Sequence, residues 1–288
     1  MAVHTALAPA KVNLFLHVGP VDGDGYHPLA SLVAFADVGD RIAVTRSDRL
    51  SLDVRGEFAA GLEGPGDNLI LRALRALGEA AGTGEPPLAV TLDKRLPIAA
   101  GLGGGSSDAG AALKLARDAL GLDLDDGALA DIAGTIGADG PMCLLARTAW
   151  AEGRGDRLTP EPRLPSLPAL LINPGVPSPT GEVYRAYDAG PPAGADLPRP
   201  PRSWDVATVI DWLAGQRNDL QAPAVARTPA IAGAIAAATR LPDARLVRMS
   251  GSGATVFALF ETPAAAAAAA RRLSENHPGW WIMPTNLG

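Results

Sequence analysis

Residues 97–113 read PIAAGLGGGSSDAGAAL, and no other stretch constrains the fold of this chain as much. Four of the five residues from Gly101 to Gly105 are glycine. Glycine loses more backbone freedom on folding than any other residue, so ordering such a run is costly. A single turn needs one or two glycines; four in five point to a backbone that another group must approach closely. The preceding PLAVTLDKRLP reads as a strand, and the following Ala109, Ala112, Leu113, Ala116 and Leu120 fall on one helical face. The run is therefore a strand-to-helix connection.

Three common glycine loops fail at this position. A dinucleotide fingerprint needs glycine at the sixth place, which is Ser106 counting from Gly101 and Asp108 counting from Gly103. A P-loop needs a lysine after the glycines, and none follows. The protein-kinase loop has the same glycine spacing as the first and fails with it. A more general use remains. A helix N-terminus presents unpaired N–H groups and the positive end of the helix dipole, and glycines let a phosphate chain come close. Ser106 and Ser107 stand where a helix cap is expected, with hydroxyls suited to a phosphate oxygen or Mg²⁺. A hinge capped by a serine is the plainer alternative, and the number of glycines favours phosphate.

Composition narrows the partners. A chain of 288 residues with a formal net charge of −6 lacks the basic excess of a general nucleic-acid or anionic-membrane binder. Its one cysteine, Cys143, allows no internal disulfide and no cysteine-based zinc site. The opening MAVHTALAPAK lacks the pattern of a signal peptide. The run of seven alanines from Ala264 is too short and too weakly apolar to span a membrane. A cytoplasmic protein with no nucleic-acid and no membrane partner is expected.

KVNLFLHV alternates as a strand with Lys11 at its start, setting Val12, Leu14, Leu16 and Val18 against Asn13, Phe15 and His17. By period two, Lys11 and Asn13 share a face. DRIAVTRS and LSLDVRG read as further strands, and DNLILRALRALGEAAG as a helix with Asp67 as its candidate cap. DDGALADIAGTIG reads as a second, shorter helix after the glycines, and MCLLARTAWA as a strand. Residues 189–202 carry five prolines and two glycines and read as a loop or mobile segment. Helical patterns follow at residues 204–214 and 229–238, then strands RLVRMSG and ATVFALF, an alanine-rich helix and a final strand GWWIM. Strands and helices interleave without a regular βαβ repeat, so the class is α+β, with a boundary near residue 160 separating 1–160 from 161–288.

PIAAGLGGGSSDAGAAL resembles the second motif of the GHMP kinase superfamily, whose core is P-x-x-x-G-L-x-x-S-S. APAKVNLFLHV resembles the first motif and MSGSGATVFALF the third, in the order the family requires. DGYH, DNLI, GADGP and NPGVPSPT are similar to the branch whose substrate is a cytidine diphosphate sugar alcohol of non-mevalonate isoprenoid synthesis. The resemblance implies a two-domain GHMP kinase fold. Its N-terminal domain would be ribosomal-protein-S5-domain-2-like and its C-terminal domain a ferredoxin-like α/β sandwich. It also implies ATP- and Mg²⁺-dependent phosphorylation of a hydroxyl on a small-molecule substrate, by a monomer or weak homodimer.

Residue roles follow from the resemblance. On its own Asp139 would be a turn residue, since Asp-Gly is a common turn pair; the matching aspartate of the family is catalytic. Lys11 matches the catalytic lysine, and it is one of only three lysines among 25 basic residues, with Lys94 and Lys114. Pro97, Ala100, Gly101, Leu102, Gly103, Gly104, Gly105, Ser106 and Ser107 would wrap ATP, with Asn68 and Lys94 near the nucleotide. Lys94 alone reads equally well as a surface strand residue. Asp108 reads as structural, favoured near a helix start by the dipole. Asn13, Tyr26, His27, Thr180 and Tyr184 would hold the cytidylated substrate, the aromatic rings stacking the base. Tyr187 reads as packing or surface.

Overall fold

Every residue from Ala10 to Val18 is buried, so the strand that carries them, β1 (His4–Val18), is not the one-sided ribbon its alternation suggests. Three polar side chains, Lys11, Asn13 and His17, lie inside with the apolar ones. Lys11 sits within the strand rather than at its start. The computed structural model describes residues 2–62, 68–191 and 193–288. It divides into two compact units. One comprises Met1–Lys11, Val38–Ile98 and Gly103–Arg147; the other comprises Val12–Asp37, Ala99–Leu102 and Thr148–Gly288.

In the first unit, β2 (Leu29–Arg46) contributes its second half, which pairs antiparallel with β4 (Leu88–Asp93). β3 (Ser51–Arg55) lies parallel to β4 on the other side. The α-helices of the unit among the described residues are α1 (Leu69–Ala80), α2 (Gly104–Leu120), α3 (Asp126–Ile136) and α4 (Gly140–Leu145). Their apolar faces meet the sheet through Leu74, Leu77, Val90, Leu113, Leu129 and Leu144. The cap of α1 is Asn68, whose side-chain oxygen accepts from Ile70 N at 2.9 Å; Asp67 lies outside the described residues. Gly110 of α2 brings that helix onto α4, since a Cβ there would sit 2.7 Å from Leu144 Cα.

In the second unit, β5 (Ala149–Gly153) and β6 (Arg157–Pro160) form a hairpin that pairs with Leu29–Val33 of β2. β7 (Leu167–Asn173) is buried at every residue. Of the helices, α5 (Thr180–Asp188), α6 (Val206–Ala214), α7 (Gln221–Arg227) and α8 (Ala230–Thr239) precede the last strands. β8 (Leu246–Met249) pairs with β9 (Val256–Leu259), which pairs with β7. α9 (Pro263–Asn276) leads into β10 (Trp281–Leu287), antiparallel to β7 in the register Trp281 to Asn173 through Leu287 to Leu167. Leu170, Ile172, Ile231, Val256, Phe260 and Leu273 are part of this core. No helix of the described residues is long and apolar enough to cross a membrane.

Several elements depart from the sequence reading. MCLLARTAWA is not one strand: Met142–Leu145 belong to α4, and only Ala149 begins β5. Pro141 in the first turn favours a helix start, and Ala146, at φ 49°, ends it. The first half of β2, all of β7, and helices α5 and α7 were not anticipated. The described part of residues 189–202 forms no helix or strand, but it is tied down. Asp196 O meets His17 Nδ1 at 3.0 Å, Gly194 O accepts from Arg217 at 2.7 Å, and Arg199 O accepts from Trp212 Nε1 at 2.8 Å. Tyr187, buried, donates its hydroxyl to Val18 O and accepts from Ala193 N.

The Gly110 approach is testable. Gly110→Ala must push α4 away from α2, an overpacking cost of about 1–3 kcal/mol. A Tm several degrees lower is expected in a thermal melt; an unchanged Tm would mean that the helices part without cost.

Candidate active site

The glycine run makes two kinds of turn. In the first unit α2 starts at Gly104, and its cap is Gly103 in the left-handed region at φ 64°, with no side-chain cap bond. Ser106 and Ser107 therefore sit inside the helix rather than at its cap. A left-handed residue is needed there, which a serine adopts poorly and glycine adopts freely. Gly103 is also tightly enclosed: a Cβ would sit 3.1 Å from Lys11 Cβ and 3.2 Å from both Lys11 Cε and Cys143 Sγ. The first amides of α2 have no partner within the helix, which makes its start an anion-binding end. Ser107 is buried, its hydroxyl beside the Cys143 thiol.

Residues 99–102 belong to the second unit and are held by the third glycine-rich stretch. Gly101 O accepts from Ser250 Oγ at 2.9 Å, and Ala100 O accepts from Thr255 N at 3.1 Å. Ala100 and Leu102 are buried. Ser250 Oγ also accepts from Asn13 N at 3.2 Å, while Asn13 Nδ2 donates to Ser31 Oγ at 2.8 Å. Ser250 carries no weight in the sequence reading beyond its place in a motif, yet it joins two of the motifs.

Lys11 and Asp139 meet. Lys11 Nζ is 3.1 Å from Asp139 Oδ2, the lysine side chain 7% exposed and the aspartate 41%. Burial alone would drive the ammonium pKa down, but the Asp139 carboxylate outweighs it, so the Lys11 pKa lies above its ordinary value. Asp139 precedes α4, its carbonyl accepting from Cys143 N at 3.0 Å. One partner is buried and positively charged, the other open to solvent and negatively charged. A hydroxyl reaching Asp139 would meet a carboxylate already fixed by a cation. Cys143, beside them, has its thiol pKa pushed up to about 12 by burial and then by Asp139.

Lys94, expected near the nucleotide, is buried. Its ammonium is buried between two carboxylates, donating to Asp40 Oδ2 and, at 2.9 Å, to Asp108 Oδ2. Burial opposes its charge, but Asp108 and Asp40 together raise its pKa. Asp40 Oδ1 accepts from Arg95 N at 2.6 Å and Leu96 N at 2.8 Å, which fixes that carboxylate within the cluster. Asp108 has no such amides and its Oδ1 is unpartnered; burial pushes its pKa up to about 7 despite Lys94. Asp108, read from the sequence as favoured by the helix dipole, is paired with Lys94. Asn68 spends its side-chain oxygen on capping α1, and Pro97 is buried where the loop leaves β4.

Two of the five expected substrate residues, His27 and Tyr184, meet in the second unit. His27 and Tyr184 face each other with ring centroids 5.0 Å apart at 32°, and Tyr187 meets His27 edge-on at 5.7 Å. His27 Nδ1 lies 2.8 Å from Gly19 O and Nε2 lies 3.1 Å from Asp188 Oδ1, which orients the ring from both ends. Asp188 was missed, though its place four residues after Tyr184 on a helix was a usable signal. Thr180 Oγ1 meets Ser252 Oγ at 2.9 Å, tying the start of α5 to the third motif. Tyr26 stands apart from these residues: it is 52% exposed and its ring is covered by the Arg154 guanidinium at 4.1 Å. Arg154 is held in turn by Asp24 at 2.7 Å. Nothing in the sequence marked Arg154.

Comparison with known proteins shows the family. The GHMP kinases N terminal domain matches residues 68–147 and the GHMP kinases C terminal domain matches residues 205–279. The chain is 53% identical over 286 residues to the 4-diphosphocytidyl-2-C-methyl-D-erythritol kinase of Caulobacter vibrioides, covering 98% of this chain and 99% of that one. It is 50% identical over 283 residues to the same-named protein of Dinoroseobacter shibae, covering 97% and 93%. A crystal structure of 4-(cytidine 5'-diphospho)-2C-methyl-D-erythritol kinase superposes with a TM-score of 0.82 at 36% identity, covering 99% of each chain. Methanococcus jannaschii mevalonate kinase, 14% identical with a TM-score of 0.66, shares the fold. The chain belongs to the GHMP kinases and, within them, to the 4-diphosphocytidyl-2-C-methyl-D-erythritol kinase family.

Proposed function

We propose that this chain transfers the terminal phosphoryl group of ATP to the 2-hydroxyl of 4-diphosphocytidyl-2-C-methyl-D-erythritol, a step of the non-mevalonate route to isoprenoid precursors. The observation that carries this reading is the Lys11–Asp139 pair at 3.1 Å against the glycine that starts α2, in a chain whose full-length relatives are named for that reaction. Phosphoryl transfer needs little covalent work from a protein; positioning and charge stabilisation supply most of the rate. Asp139 orients the acceptor hydroxyl and receives its proton. Lys11, kept an ammonium by its raised pKa, fixes that carboxylate and stabilises charge on the moving group.

Pro97 and Ala100 to Ser107 hold the triphosphate, with Asn68 near the nucleotide. Mg²⁺, when bound, neutralises charge across the terminal phosphates. Among the described residues no three His, Cys, Asp or Glu side chains converge on one point. The Ser107 hydroxyl, in the first turn of α2, suits either the ion or a phosphate oxygen. Asn13, Tyr26, His27, Thr180 and Tyr184 recognise the cytidylated alcohol. The remaining readings are a domain boundary near residue 160, work in the cytoplasm, and a monomer or weak homodimer without a nucleic-acid partner, the last supported by the net charge of −6.

ADP release from the purified protein tests the reaction. With ATP and Mg²⁺, turnover is expected on the cytidylated alcohol and not on homoserine, mevalonate or galactose; turnover on one of those instead would remove the substrate assignment. Asp139→Asn should lower kcat by about 10²–10⁴-fold, the range for a positioned proton acceptor, with ATP affinity almost unchanged. Equal losses in both would make Asp139 structural. Tyr184→Ala is expected to raise KM for the cytidylated alcohol about tenfold or more, since stacking on a base contributes roughly 1–3 kcal/mol, and to leave KM for ATP alone. An unchanged KM for the alcohol would take Tyr184 out of the site.

A further inference from the structure

The buried ammonium of Lys94 connects the two ends of the glycine loop within the first unit. At the entry, Asp40, 0% exposed, takes the backbone N–H groups of Arg95 and Leu96 on one carboxylate oxygen at 2.6 and 2.8 Å. Its other oxygen takes Lys94 Nζ. At the exit, the same Nζ donates to Asp108 of α2 at 2.9 Å. Lys94 also fills the space beneath the helix start, its Nζ 3.1 Å from the place a Cβ on Gly104 would occupy.

Two carboxylates and one ammonium are a poor source of stability in an interior. Desolvating them costs about as much as their attraction returns, and apolar side chains of similar volume often do as well or better. Apolar side chains cannot hold two backbone amides and a helix at a set separation; a directional, multiply bonded cluster can. Strand end and helix start are thus tied through atoms that have little reach to spare.

We propose that Asp40, Lys94 and Asp108 form a tether that sets the separation of the loop's two ends, so that Lys94 governs nucleotide affinity as a positioning residue without touching the nucleotide. This rests on the reading of the loop as the ATP cradle. The amides at the start of α2 bind phosphate only when they converge, and a loop left without its tether loses that convergence while the acceptor-binding residues of the other unit keep theirs.

Direct ATP binding by calorimetry, in the presence of Mg²⁺, separates the alternatives. Asp108→Ala severs one arm and leaves Lys94 paired with Asp40; its Kd for ATP is expected to rise about tenfold, with KM for the cytidylated alcohol within about twofold of the unaltered protein. Asp108→Asn keeps an acceptor for the ammonium and should return the Kd towards its original value. Lys94→Met should weaken ATP binding further, and if that variant does not fold the two Asp108 variants decide. A lower Tm for Asp108→Ala with unchanged ATP affinity would overturn the tether, as would equal losses for both substrates. Failure of the unaltered protein to bind ATP would instead overturn the functional reading on which the tether rests.

Discussion

A lysine ammonium in a protein interior is held there against the cost of leaving water, and in this chain that constraint orders what surrounds Lys11. The ammonium is buried yet keeps its charge because Asp139 lies 3.1 Å away. Asp139 can stand there because α4 begins at Gly140, and α4 lies where it does because Gly110 lets α2 come against Leu144. α2 in turn starts at Gly103, whose missing side chain leaves room for Lys11 itself. The cation, the carboxylate and the anion-binding helix end are consequently one arrangement, in which none can shift without disturbing the other two.

Charge is distributed in the same spirit around the loop. Among the described residues Lys11 is paired with Asp139, itself partly open to solvent, so that a substrate can share it. Lys94 has two, both closed off. The two lysines are separated in role by their partners' exposure rather than by their own, for both are buried. In the second unit His27 is treated like Lys94: each ring nitrogen has an oxygen partner, and the face of the ring is what remains for contact with Tyr184.

The glycine run, the helix after it, and the family to which they belong were legible in the sequence, because a costly local composition has few explanations. Lys11 and Asp139 could be named only through the resemblance; they are 128 positions apart in the chain, and no local pattern links the two. The same distance hid the partners of Lys94, since Asp40 and Asp108 are 54 and 14 residues away. Period-two patterns failed for β7 and the first half of β2, which are buried on both faces and so need no polar alternation. The helix cap was misplaced onto the serines because a left-handed backbone at Gly103 is a property of the turn, not of the residues that usually cap helices.

Cys143 lies against the glycine that starts α2, where a designer of covalent inhibitors would look first. With its thiol buried and its pKa pushed up to about 12, the nucleophilic thiolate is scarce at neutral pH. An electrophile carried into this site would find no competent sulfur. Irreversible ligands for this protein would have to address an amine or a carboxylate instead, and oxidants that silence other enzymes through a reactive cysteine would have nothing to act on here.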